Sequence, residues 1–239
     1  MEVERHDLLH LSLAGRERIF AELASKGFAE DAVGEMLLEG AIPGIVRREE
    51  FSPREGFIPV GFSSWRTNEN GRFRVASFAK EEEILAVVKP EEVAAKLPAR
   101  GRAAVKTQAL KALAALQDMW DYPLALGVWG SAALELETGR AYTHRWSDLD
   151  VRLAPQGGIG RETLERCLAT LLEKEISFGI RIDAELRLAN SYGISLKELL
   201  NESVTVLGKG CEDVILIQKT DVFEGLAAPE SVSGSVTTV

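Results

Sequence analysis

The stretch from Leu124 to Leu153 narrows the possible folds more than any other part of the chain. Leu124 to Trp129 is a short apolar run with the length and texture of a buried strand. Gly130 follows and lets the backbone turn with no Cβ in the way. Ser131 stands where a helix N-cap is expected, ahead of Ala132, Ala133, Leu134, Glu135 and Leu136. A strand, a glycine turn and a helix start place free N–H groups and the positive helix end where a phosphate can sit. Ser147, Asp148, Leu149 and Asp150 then open a second apolar strand through Val151, Arg152 and Leu153. At period two, the carboxylates of Asp148 and Asp150 leave the same face. Two such carboxylates repel unless a cation lies between them, and hard oxygen ligands of this kind suit Mg²⁺ carried with substrate phosphates.

A third acid lies further on. Arg181 to Leu188 alternates polar and apolar residues and reads as a strand. Ile182, Ala184, Leu186 and Leu188 are expected on one face, Asp183 and Glu185 on the other. Beside the first acidic strand, Asp183 completes a cluster of carboxylates. The competing reading makes Asp148 and Asp150 surface residues paired with Arg145 or Arg152. Gly-Ser, then Asp-x-Asp, then a later strand Asp resembles the nucleotidyltransferase superfamily that includes DNA polymerase beta. The resemblance implies an α+β fold, with a mixed sheet and flanking helices. It also implies that Asp148, Asp150 and Asp183 are both the catalytic residues and the ligands of Mg²⁺, or of Mn²⁺ in its place.

Composition bounds the rest. The 239 residues allow one large or two small domains, and 46% hydrophobic content supports a real core. A net charge of −9 argues against a general nucleic-acid binder, whose affinity comes from neutralising phosphates, but leaves room for a local basic pocket. Cys167 and Cys211 form neither a disulfide framework nor a metal spacing, in keeping with a reduced, cytoplasmic setting. The N-terminus carries no apolar signal region. No run approaches the roughly 20 apolar residues that span a bilayer.

Residues 1 to about 42 read as mostly helical, with His6 and His10 one helical turn apart in a structural role. Short strands are expected at 45–48, 56–62 and 73–76, with a hairpin turn at Asn68-Glu69-Asn70-Gly71. This small α+β domain, residues 1–95, is locally basic. Its arginines are either a solvated face balanced by nearby glutamates, or they turn Arg66 and Arg72 or Arg74 toward a polyphosphate in an interdomain cleft. Residues 90–101 read as the connection and 103–120 as a helix. The catalytic domain is expected over 96–226, and 227–239 as a disordered tail. His144 is either a phosphate contact or a plain turn residue. Ser147 is counted with the phosphate-binding group, and Trp146 is the best candidate to touch a nucleobase.

The longer gap between Gly-Ser and the first Asp carries a second resemblance. Leu-Glu-x-x-Thr-Gly-x-x-Tyr-x-His over 134–144, followed by Ser-Asp-Leu-Asp, resembles the malonate decarboxylase holo-acyl-carrier-protein synthases, which are phosphoribosyl-dephospho-CoA transferases. His6-Asp7-Leu8-Leu9, Pro43 to Arg48, and Val60-Gly61-Phe62 with Arg66 look like that family's N-terminal module. Arg181 to Leu186 and Lys219-Thr220 look like its C-terminal part. The resemblance implies transfer from triphosphoribosyl-dephospho-CoA to a serine of the decarboxylase's acyl-carrier subunit, with release of pyrophosphate. Two alternatives stand beside it. One is another nucleotidyltransferase that adenylylates a small molecule or protein from ATP. The other is a catalytically silent binding module, against which the intact acids speak.

Overall fold

The computed structural model describes residues 3–48, 55–69, 71–101 and 105–227. The N-terminal part is built on a five-stranded antiparallel sheet in the order β4-β3-β2-β1-β5. Its strands are β1 (Leu8–Leu11), β2 (Gly44–Val46), β3 (Phe57–Asn68), β4 (Gly71–Lys80) and β5 (Ile84–Val88). Helix α1 (Leu13–Ser25) starts where the Ser12 hydroxyl accepts the Gly15 N–H at 3.1 Å. Helix α2 (Glu30–Gly34) runs on into a π-helical turn, Glu35–Glu39. Ile19, Leu23, Met36 and Leu37 from these helices bury against Leu9, Val60 and Phe62 of the sheet.

The second sheet has six strands in the order β11-β10-β9-β8-β7-β6. They are β6 (Leu124–Trp129), β7 (Leu149–Pro155), β8 (Ile182–Arg187), β9 (Gly193–Ser195), β10 (Thr205–Lys209) and β11 (Val214–Gln218). Only the β7–β8 pair is parallel. A parallel pair needs a long crossover, and α7 (Arg161–Phe178) supplies it. Helix α5 (Gln108–Met119) buries Leu110, Leu113 and Leu116 in the same core, each contributing about 1.5–3 kcal/mol. Helix α6 (Gly130–Thr138) runs from the end of β6, α8 (Leu196–Leu199) links β9 to β10, and α9 (Lys219–Ala227) follows β11.

Residues just before β1 bind the two sheets together. Arg152 of β7, almost fully buried, reaches Glu4 at 3.3 Å and Asp7 at 3.6 Å. Its other guanidinium nitrogens hold Glu91, from the residues joining the sheets, at 2.5 and 2.8 Å. Glu4 is also forked by Arg187 of β8, and Asp7 is paired with Lys89 at 2.7 Å. Burial pushes the Asp7 carboxyl up despite these cations.

Several expectations are corrected. The segment to residue 42 is mostly helical, as expected, but Leu8 to Leu11 enter the sheet as β1, so His6 and His10 share no helix face. Alternation over four residues was hidden beside the longer apolar period of α1. The connection at 90–101, where a charged helix-like piece is expected, is two short helices, α3 (Pro90–Ala94) and α4 (Lys96–Arg100). Their Val93, Ala94 and Leu97 belong to the second core. Strands β5 and β9 went unread, both too short for their alternation to show. Glu185 does not stay on an open face with Asp183: it is buried beneath the N-terminal residues. Residues 228–239 of the expected disordered tail lie outside the described residues.

Candidate active site

Strand β7 lies between β6 and β8, so Asp150 faces Trp129 on one side and Asp183 on the other. Asp148 precedes β7 and is exposed. The carboxyl of Asp150 is pushed up to about 7, first by burial and then by the charges of Asp183 and Asp148. Asp183 and Asp148 therefore both lie close enough to Asp150 to act on it electrostatically. The surface pairing expected for Asp148 or Asp150 with Arg152 does not occur, since Arg152 is turned inward to Glu4 and Glu91. Asp183 is instead held by its neighbour Arg181, whose Nε donates to both carboxylate oxygens at 2.9 Å.

Gly130 turns the chain from β6 into α6 with φ +68°, in the left-handed region. A Cβ added there would fall on Asp150 Oδ2. The glycine is thus what lets a carboxylate and a helix start come together. Helix α6 begins at Gly130 itself, and its N-cap, Trp129, makes no side-chain cap. Ser131 is therefore not the N-cap. Its hydroxyl accepts from Arg72 Nη1 at 3.1 Å. Arg72 comes from the N-terminal hairpin, and its Nη2 donates to the Tyr142 carbonyl at 2.5 Å. Tyr142 is fully buried, and its hydroxyl donates to the Ser63 carbonyl at 3.0 Å. The loop between α6 and β7 is thereby tied to the other sheet. Glu135 ties it to α6, accepting the N–H groups of Tyr142 at 3.0 Å and Thr143 at 2.6 Å.

His144 and Ser147 close a tight turn just ahead of Asp148. The Ser147 hydroxyl accepts the His144 N–H at 2.9 Å, and His144 Nδ1 accepts the Trp146 N–H at 3.1 Å. Trp146 is 72% exposed, with the Arg145 guanidinium 4.4 Å above its ring. Arg66 is not turned into the cleft: it is largely exposed and ion-paired with Glu35. The carboxylate of α2's extension reaches it first.

Between the sheets runs a cleft of about 790 Å³. One wall presents Trp129, Gly130, Ser131 and Asp150, the other Arg47, Arg48 and Arg74, with Arg5 and Lys209 at its side. Arg5 and Lys209 carry no sequence signal, because they meet the cleft only through the packing of the two sheets. The same is true of His6. Its ring stacks on Trp129 at 3.9 Å, and its Nε2 lies 3.1 Å from Glu185. Burial lowers the His6 pKa, so the neutral ring donates to the Glu185 carboxylate. Burial would raise Glu185, but His6 and Arg5 outweigh it and hold the carboxyl low. Trp129 Nε1 and Arg72 Nε are buried donors with no partner among the described residues. Unpaired buried donors are uncommon, and both belong to residues that meet at the glycine turn.

Among the described residues no group of His, Cys, Asp or Glu is already arranged as a metal cage. The donor chemistry nevertheless fits a hard divalent cation, because Asp150 is destabilised by the two acids beside it.

An acidic pair on parallel strands, a glycine corner and a basic wall opposite are compatible with group transfer, and the relatives make the class a transferase. The chain belongs to the phosphoribosyl-dephospho-CoA transferase family. The family's C-terminal domain model, named MdcG, matches residues 96–220, and its N-terminal domain model matches residues 4–90. A phosphoribosyl-dephospho-CoA transferase of Xanthomonas euvesicatoria pv. vesicatoria is 30% identical over 183 residues, 76% of this chain and 81% of that protein. One from Xanthomonas axonopodis pv. citri is 29% identical over 191 residues, 78% of this chain and 84% of that protein. No solved structure matches. No helix among the described residues is long and apolar enough to cross a membrane.

Proposed function

We propose that this enzyme takes 2′-(5″-triphosphoribosyl)-3′-dephospho-CoA and transfers its phosphoribosyl-dephospho-CoA group to a serine of the malonate decarboxylase acyl-carrier subunit. The serine oxygen bonds to the α-phosphorus of the triphosphate. The bond from that phosphorus to the bridging oxygen breaks, and the β- and γ-phosphates leave as pyrophosphate. The hydroxyl proton passes to a carboxylate. The observation that carries the reading is the pairing of Asp150 with Asp183 beside the Gly130 turn.

Asp148, Asp150 and Asp183 would hold Mg²⁺, or Mn²⁺ in its place, within a polymerase-beta-like nucleotidyltransferase domain. When bound, such an ion neutralises charge developing on phosphate oxygens. Gly130 and Ser131 seat the leaving phosphates through backbone N–H groups. Asp183, at the rim, accepts the serine proton once Arg181 releases it. Ser147 and His144 brace the turn that sets the direction of Asp148.

The test is pyrophosphate release and mass labelling of the purified acyl-carrier subunit, with the triphosphoribosyl precursor as donor. Labelling that needs a divalent ion and disappears in Asp148→Ala and Asp150→Ala supports the reading. Full labelling by either variant overturns the site. Transfer of AMP from ATP with no response to the precursor overturns the donor.

A further inference from the structure

The donor proposed above carries phosphate in two places. The triphosphate sits on the second ribose. A pyrophosphate diester joins the adenosine of dephospho-CoA to its pantetheine arm. Both are strongly anionic, and the Gly130 corner has room and donors for one of them.

The wall facing that corner is built differently. Arg47 and Arg48 leave the end of β2, and Arg74 stands on β4 opposite Ser63 of β3. Gly61 lies between these strands, and the Arg47 side chain runs past it, its Cδ 3.6 Å from where a Cβ would be. Arg48 and Arg74 are exposed within the cleft, and neither has a carboxylate partner among the described residues. Arg74 also presses electrostatically on Arg72. A surface face that only confers solubility mixes both signs. Among the described residues this concave one concentrates positive charge, in a chain of net charge −9.

We propose that Arg47, Arg48 and Arg74 form a second anion subsite that takes the pyrophosphate diester of the dephospho-CoA portion, while the Gly130–Ser131 corner takes the triphosphate. This rests on the donor assigned under the proposed function. Guanidinium forks match the paired oxygens of a diphosphate. The two subsites face each other across one cleft, so the adenosine ribose, which bears both substituents, lies between the two sheets. The N-terminal module is then a specificity element. It distinguishes a dephospho-CoA derivative from a plain nucleoside triphosphate, which has nothing to place on the second wall.

The experiment is titration calorimetry on the full chain with two probes, dephospho-CoA and tripolyphosphate, each with Mg²⁺ present. Dephospho-CoA has the diester but no triphosphate. Tripolyphosphate has the converse. Arg74→Ala and Arg48→Ala are each expected to weaken dephospho-CoA about tenfold or more and to change tripolyphosphate by no more than about twofold. Arg74→Lys, which keeps charge but loses the fork, is expected in between. Equal loss for both probes, or loss for neither, overturns the second subsite. Wild-type protein that binds tripolyphosphate but no dephospho-CoA overturns the donor assignment itself. Melting curves report whether each variant is folded, and Arg48→Ala, at an exposed strand end, decides the question if Arg74→Ala does not fold.

Discussion

Asp150 lies directly opposite Asp183 on neighbouring parallel strands, and the carboxyl of Asp150 is pushed up to about 7. Like charges at this separation are tolerated in a fold only when function requires them or when one is neutralised. Here Arg181 neutralises Asp183, and Asp150 is left to burial and repulsion.

That relationship has a pH signature. In the unfolded chain Asp150 ionises near pH 4, whereas in the folded protein it does so near 7. Between these values the unfolded state has released a proton that the native state keeps, so stability falls as pH rises, and the cost levels off above 7. Asp150→Asn removes it. The variant is expected to melt higher than the native protein by a margin that grows from about pH 5 to 7 and then stays constant. Thermal melts across pH check this, and a margin independent of pH would contradict it. Adding Mg²⁺ should stabilise the native protein and not the variant.

Gly130→Ala meets two obstacles, the left-handed φ of +68° and collision with Asp150 Oδ2. Gly157→Ala meets only the first, since its φ is +136° and nothing lies within 4 Å of the added Cβ. Both variants should lose about 1–3 kcal/mol in denaturant unfolding. Only Gly130→Ala should lose pyrophosphate release as well, by about a hundredfold. Equal activity in the two would show that the corner tolerates displacement of Asp150.

Arg152 reaches both Glu4 and Asp7 inside the sheet interface, with Lys89 on Asp7 and Arg187 on Glu4 at its edges. Arg152→Met leaves those acids and Glu91 under-compensated, and Asp7 Oδ1 already lacks a hydrogen bond. A loss of about 3–5 kcal/mol in chemical denaturation is expected. An unchanged midpoint would mean that the two sheets do not depend on this network.

Arg72 joins the N-terminal hairpin to Ser131 and to the Tyr142 carbonyl through separate nitrogens of one fork. Arg72→Lys keeps a charge but cannot span both. Steady-state kinetics should show a rise in donor KM of about tenfold for Arg72→Ala, with little recovery in Arg72→Lys. Full recovery by lysine would reduce Arg72 to a point charge.

The acidic half of the site was legible because its information is local. Period-two spacing in Asp148-Leu149-Asp150 and in Ile182 to Leu186 declares strands, and a glycine between an apolar run and a helix declares a turn. The parallel pairing of β7 with β8 follows once α7 is read as a long helix. The order of residues 124–188 therefore held most of the acidic wall.

The opposite wall was not legible in the same way. Arg5 and His6 meet Glu185 and Lys209 across about 180 residues or more of chain. Their meeting depends on how two sheets pack, and no periodicity encodes that. Arg66 and Arg72 show the same limit: both are arginines of one hairpin, yet Glu35 holds one and Ser131 the other. The chain by itself determined the elements, the carboxylates and the glycine turn, because backbone propensity and alternation act between near neighbours. Only the tertiary structure decided which cations face those carboxylates, because burial and Coulomb interactions depend on distance in space, not along the chain.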